Sequence, residues 1–189
     1  MNASTLTKSL EFLIDELPEI APLDEYHRAL VSHVHPMNWQ NPEPPPRHNL
    51  VVIGAGTAGL GARGALVEKR LIGGDCLNVG CMPSKALLRA ARAYADPRDA
   101  ESYGVGVPAG VTVDFPAVMG RMRQLRAKIT THGSAKRFQS MGADVFLGEA
   151  RFTGPEIIEV DGRTLRCKQA VIATGARAVA PPTFLLLGE

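Results

Sequence analysis

A β-branched run, Asn49-Leu50-Val51-Val52-Ile53, feeds directly into Gly54-Ala55-Gly56-Thr57-Ala58-Gly59, and this succession limits the available folds more than any other stretch of the chain. A continuous apolar run of this length marks a strand buried on both faces, as in a parallel sheet. The glycines then follow the G-x-G-x-x-G spacing of a dinucleotide-binding turn. In such a turn Gly54 makes the tight bend, Gly56 lets the backbone approach a pyrophosphate, and Gly59 permits close packing of the next element. A second apolar strand, Ala65-Leu66-Val67-Glu68, ends in an acid suited to a ribose hydroxyl. Glycines at this spacing also occur in plain loops, so the weight lies in the order strand, glycines, strand, acid.

The same unit is too short. Parallel strands need a crossover of about a dozen residues or more, usually helical, and the acid belongs about twenty residues beyond the glycines. Here Glu68 stands fourteen positions after Gly54 and nine after Gly59. Only Leu60-Gly61-Ala62-Arg63-Gly64 separate Gly59 from the next strand, barely more than one helical turn and rich in glycine. The expectation is that the first crossover helix is deleted.

Chemistry concentrates in Gly73-Gly74-Asp75-Cys76-Leu77-Asn78-Val79-Gly80-Cys81-Met82-Pro83-Ser84-Lys85. Four residues between the cysteines, with Gly80 among them, bend the chain enough to bring the two sulfurs within disulfide range. Pro83 suits the first turn of a helix running through Ala93, which places Cys81 at a helix N-terminus where a thiolate is favoured. Lys85 adds a cation nearby. Two buried small hydrophobes, or half of a zinc site, are the plain alternatives. Zinc needs three or four ligands, however, and neither a further cysteine nor a Cys-His knuckle follows at metal spacing; Cys167 stands alone on an expected strand. Redox chemistry is left ahead of both.

This thirteen-residue string closely resembles the redox-active segment of the pyridine nucleotide-disulfide oxidoreductases, flavoproteins that include dihydrolipoamide dehydrogenase, glutathione reductase and mercuric reductase. Its wording looks most like the mercuric reductase-like branch. The resemblance implies an α/β fold: a Rossmann-like FAD-binding domain with a β-meander insertion, incomplete at its first crossover, behind a helical N-terminal appendage. It implies Cys76 and Cys81 as the catalytic pair, with Cys76 attacking substrate, Cys81 facing the flavin and Lys85 near the flavin ring. Gly54, Gly56, Gly59 and Glu68 would bind the FAD nucleotide together with Gly74, Ala150, Ala173, Thr174 and Gly175. No resident metal site is expected, although Hg²⁺ could meet Cys76 and Cys81 as substrate.

Residues 1–48 read as the appendage. Leu10, Leu13, Ile14 and Leu17 recur at helical spacing, and Leu23 to Val31 forms a second helix with acids in its first turn. His27, His33 and His35 are read as solvated or capping residues without chemistry, and the proline-rich stretch Gln40 to His48 as a tether. The domain proper covers residues 49–182. Asp96 to Val113 reads as loop, followed by a long helix whose apolar positions are Phe115, Val118, Met119, Met122, Leu125 and Ile129. Arg121, Arg123, Arg126 and Lys128 on its other face are read as solvated, because a net charge of +2 gives no reason to invoke a polyanion. Strands are expected at Ala143–Gly148, Arg151–Thr153 and Ile157–Val160, then at Thr164–Cys167 after an Asp161-Gly162 hairpin turn, and at Ala170–Gly175.

Residues 183–189 resemble no part of the family, and the resemblance implies that the NAD(P)-binding and dimerisation domains are lacking. FAD binding is therefore expected to be weak or lost, NAD(P)H use belongs to full-length relatives, and the family's homodimer is in doubt. Without a run of about eighteen apolar residues or a basic-then-apolar N-terminus, no membrane partner is expected and the location is cytoplasmic. Three functions remain: an N-terminal fragment of a mercuric reductase-like enzyme passing electrons from NAD(P)H through FAD and the cysteine pair to a soft-metal or disulfide substrate, a flavin-free thiol or soft-metal module, and a non-functional fragment.

Overall fold

The computed structural model describes residues 20–59, 64–108 and 110–176. Its order is α1 (Glu25–Val34), β1 (His48–Ile53), β2 (Ala65–Glu68), α2 (Gly74–Asn78), α3 (Cys81–Asp99), α4 (Phe115–Ile129), α5 (Ala135–Ser140), β3 (Asp144–Leu147), β4 (Ala150–Gly154), β5 (Ile157–Val160) and β6 (Arg163–Ile172). The sheet order is β3-β2-β1-β6-β5-β4. The first four strands in that order are parallel neighbours, and β5 and β4 continue antiparallel. This is the α/β sheet with a β-meander that the resemblance implied.

Alternation along the parallel strands fills two cores. Val52, Leu66 and Val145 point to a helical layer holding Leu30, Val31 and Val34 of α1, Ala127 of α4 and Phe138 of α5. Val51, Ala65, Val67 and Phe146 point the other way, onto Ile158, Val160, Leu165 and Cys167 of the meander. The α1 helix starts at an Asp24 cap whose carboxylate accepts the His27 amide. From Ile20 onward the segment read as an appendage is thus packed into the first core, and its tether is tied down as well. Trp39 Nε1 donates to the Val145 carbonyl (3.1 Å), and Asn41 exchanges two hydrogen bonds with the Leu147 backbone (2.9 and 2.7 Å). The expected helix around Leu10 to Leu17 lies outside the described residues, as does the tail 183–189.

Four readings are corrected. The strands expected at Thr164–Cys167 and Ala170–Gly175 are one ten-residue strand. It changes partner midway: Arg163 to Arg166 pair antiparallel with β5, and Cys167 to Ile172 parallel with β1. The loop expected from Asp96 begins later, because α3 runs to Asp99 through Pro97 and a 3₁₀ turn extends to Tyr103. On α4, Arg126 is buried against His27 and Arg123 pairs with Asp24, so these two cations belong to the α1 seam, whereas Phe115 is 61% exposed. The histidines are likewise interior ties. His27 Nδ1–H donates to the Pro22 carbonyl (2.7 Å), His33 bonds Thr130 Oγ1 (2.8 Å), and His35 bonds the Arg70 carbonyl.

Between Ile53 and Ala65 only eleven residues cross from β1 to β2, and the described part of that crossing is a turn closed by Gly59 N–H on the Gly56 carbonyl (3.0 Å). The Asp161-Gly162 turn has φ of 46° and 75°, the two positive values of a type I′ hairpin.

Candidate functional site

A cleft of about 430 Å³ opens at the C-terminal ends of the parallel strands, between the glycine turn, the β2–α2 segment and the Ala173–Ala176 stretch. Gly54, Gly56, Glu68, Gly74, Cys76, Ala150, Ala173, Thr174 and Gly175 all line it, so most of the residues singled out from sequence come together. Gly59 lies behind this wall, against the Gly54 carbonyl. Lys85 faces away, into a groove between α3 and α4 with Met82, Ala86 and Arg89.

Close backbone approach explains the glycines. Gly54 has φ +107°, and a Cβ there would collide with the Ala173 carbonyl oxygen, closing β1 against the end of β6. Gly74, at φ +56°, would place a Cβ 2.8 Å from Gly56 Cα. The cysteine segment therefore rests directly on the glycine turn. Gly73 N–H bonds the Ala55 carbonyl at 2.7 Å, which fixes the same contact.

Asn78, to which the sequence reading gave no role, anchors the short helix carrying Cys76. Its side chain is buried, and Nδ2 donates to the Gly74 carbonyl (2.9 Å), with longer contacts to Ile72 (3.4 Å) and Leu71 (3.5 Å). The only sequence signal was an amide inside an otherwise apolar and glycine-rich string. Thr57, another residue without an assigned role, reaches Cys76 through its hydroxyl.

Cys76 lies within α2, half-buried; Cys81 opens α3 and is exposed. The two thiols meet. Cys76 is pushed above the ordinary thiol range, first by its hydrogen bond with Cys81 and then by burial and the neighbouring Cys81 charge; Thr57 and Lys85 pull the other way without reversing it. Cys167 is remote, 2% exposed on β6, with Sγ–H on the Glu156 carbonyl (3.7 Å) and its thiol raised by burial. Among the described residues no three His, Cys, Asp or Glu side chains gather as a metal set.

The cleft keeps the walls of a nucleotide site but not its anion-binding end. A pyrophosphate is normally received by free amides at the start of a helix. Here Gly54 N–H bonds the Val67 carbonyl (2.8 Å) and Gly59 N–H the Gly56 carbonyl, while Ala55 N–H bonds Glu68 Oε2 (2.8 Å). The other Glu68 oxygen accepts Arg70 N–H at 2.8 Å, so the expected ribose-binding acid instead holds the turn to β2. With the Gly54, Ala55 and Gly59 amides and the Glu68 carboxylate bonded internally, and only eleven residues for the whole crossing from β1 to β2, the described site does not fit FAD.

Residues 48–184 match the family described as Pyridine nucleotide-disulphide oxidoreductase. The chain is 37% identical over 158 residues to a dihydrolipoyl dehydrogenase of Trypanosoma brucei brucei, covering 75% of this chain and 33% of that protein. A dihydrolipoyl dehydrogenase of Acholeplasma laidlawii is 32% identical over 144 residues, 71% of this chain and 43% of its own length. A mercuric reductase of Lysinibacillus sphaericus is 31% identical over 143 residues, 71% and 26% respectively. The chain thus spans less than half the length of these relatives.

Proposed function

The chain belongs to the pyridine nucleotide-disulphide oxidoreductase family, and from that premise we propose that its working centre is the Cys76–Cys81 pair, acting as a two-electron dithiol–disulfide couple. The observation that carries this reading is the meeting of the two thiols where α2 hands over to α3. The full-length family uses FAD and NAD(P)H, and mercuric reductase-like or dihydrolipoyl dehydrogenase-like turnover is a property of relatives more than twice as long as the stretch matched here. In the described chain the pair exchanges electrons directly with a disulfide, because the described site does not fit a flavin.

Cys81 is the entry thiol and Cys76 the resolving one, the reverse of the order the resemblance implied. Exposure at the first position of α3 gives Cys81 both access and the field of a helix N-terminus. Cys76 is half-buried and its proton is held by Cys81. With a small disulfide R–S–S–R as oxidant, the Cys81 thiolate attacks one sulfur, the R–S–S–R bond breaks and one RSH leaves with a proton. Cys76, losing its proton to water, then attacks the Cys81 sulfur of the mixed disulfide and expels the second RSH. The pair has lost two electrons and two protons, and the oxidant has become two thiols. A soft metal ion would use the same two sulfurs as ligands.

Oxidation with 2-hydroxyethyl disulfide followed by peptide mapping tests the reading. The expected product is an intramolecular Cys76–Cys81 link with Cys167 still reduced. A link to Cys167, or a mixed disulfide persisting on Cys81, overturns it. NAD(P)H oxidation by the isolated chain with mercuric ion or lipoamide should be negligible, measured in a preparation free of host reductases.

A further inference from the structure

The α3 helix is nineteen residues long, yet its only fully buried residue is Ala86. It lies along α4, and the seam between them is open on one side as two confluent hollows of about 360 and 430 Å³ that share Arg89 and Arg121. From Met82 to Tyr94 the groove follows α3 for thirteen residues, about 18 Å at the helical rise. Its floor at the Cys81 end is apolar, built from Met82, Ala86, Leu125 and Ile129. Its rims are cationic: Lys85 and Arg89 stand on α3, and Arg121 and Lys128 on α4.

None of these four cations forms an ion pair among the described residues. The single acid in the groove, Asp114, is engaged as the α4 cap with its carboxylate on Ala117 N–H (3.0 Å). Holding like charges on facing helices without a counter-charge is unfavourable, so the arrangement is complementary to something acidic. The floor narrows the choice. A nucleic-acid backbone would satisfy the rims but leave the apolar floor uncovered. A second copy meeting face to face would set cation against cation. Glu43, Glu149 and Glu156, on the meander side, are already paired with Arg163, Lys69 and Arg47.

We propose that the α3/α4 groove docks an acidic amphipathic helix of a partner protein, its apolar side chains seated between α3 and α4 and its carboxylates on Lys85, Arg89, Arg121 and Lys128. About three turns fill the length of the groove. The surface begins at Met82, the residue after Cys81, so the docked partner lies beside the thiol pair.

Fluorescence anisotropy on the full chain tests this. The probe is a fluorescein-labelled peptide of about twelve residues, with Leu at i, i+3, i+4 and i+7 and Glu between them. It should bind, weaken as salt rises, and lose affinity about tenfold or more in the double variant R89E/R121E, with far-UV circular dichroism unchanged. The same peptide with Lys for Glu should not bind. Equal binding of the Lys peptide, or no binding of the Glu peptide to the unaltered chain, overturns the proposal without recourse to any variant. So does sedimentation showing self-association that R89E/R121E abolishes, which would make a second copy the occupant. Residues 10–19 carry similar chemistry in sequence, with Leu10, Leu13, Ile14 and Leu17 among Glu11, Asp15, Glu16 and Glu19. A cross-link joining that segment to the groove within one chain would also overturn the partner reading.

Discussion

At the scale of single residues, the chemistry rests on unequal environments for three thiols. Brief iodoacetamide treatment of the reduced chain at neutral pH should label Cys81 first, Cys76 more slowly and Cys167 last, read by mass mapping. Exposure and the start of α3 favour Cys81, contact with Cys81 holds the Cys76 proton, and burial on β6 protects Cys167. Labelling of Cys167 ahead of the pair would mean that the segment does not hold this geometry. Asn78→Ala should then cost about 1–3 kcal/mol, since it leaves the Gly74 carbonyl without its buried donor. Urea unfolding checks the cost, and a loss within error would show the amide to be dispensable. The cysteines were legible because their spacing, Gly80 and Pro83 all speak through local backbone geometry. Asn78 was not, because its three acceptors lie four to seven positions away on a turn whose shape no local pattern encodes.

At the scale of elements, periodicity located strands and helices well where one face is buried, and failed where an element changes partner or has none. The β6 strand looked like two because its first half alternates against β5 while its second half, Lys168 to Ile172, is exposed. Likewise α3 carries no sustained apolar stripe, so its last turns read as loop. The short crossover was visible by counting residues, and so was its consequence: among the described residues no helix start follows the glycine turn. Inserting a helix-forming segment of about nine residues after Leu60 should restore amides at a helix N-terminus and raise FAD affinity at least tenfold. Flavin retained after gel filtration is the readout. A chain that already keeps stoichiometric flavin would contradict the misfit described above, and an insertion without effect would locate the deficit outside the crossover.

On the scale of the whole molecule, α1 decides how the fold responds to acid, because it joins the sheet core to α4 through titrating groups. His27 is buried where its Nδ1–H meets the Pro22 carbonyl and Nε2 faces Arg126 Nη1 at 3.2 Å. Burial, with help from the two arginines, holds this imidazole below its ordinary range despite the carbonyl bond and Asp24. Burial also lowers His48, which lies at the foot of β1 near Asp144 (3.7 Å). A group whose folded pKa lies below its unfolded one stabilises the fold above the unfolded value, and that contribution is lost as pH falls toward the folded value. For the two histidines the loss begins near the unfolded value of about 6.5. Burial would raise the Asp24 carboxyl, but the His27 amide and Arg123 outweigh it and leave it lowered, so its share is lost only below the carboxylate range. Stability should therefore be flat from about pH 7 to 8, be eroded above that by the raised Cys76 and Cys167 thiols, and on acidification decline in two stages, the first between about pH 6.5 and 5 from the histidines and the second below about pH 4 from Asp24. Thermal melts across this range check the sequence. Replacing His27 by Gln, which cannot titrate, should shrink the first stage while leaving the second. If the first stage persists unchanged in both His27→Gln and His48→Gln, the acid response arises elsewhere and the α1 seam is not what links sheet and helices.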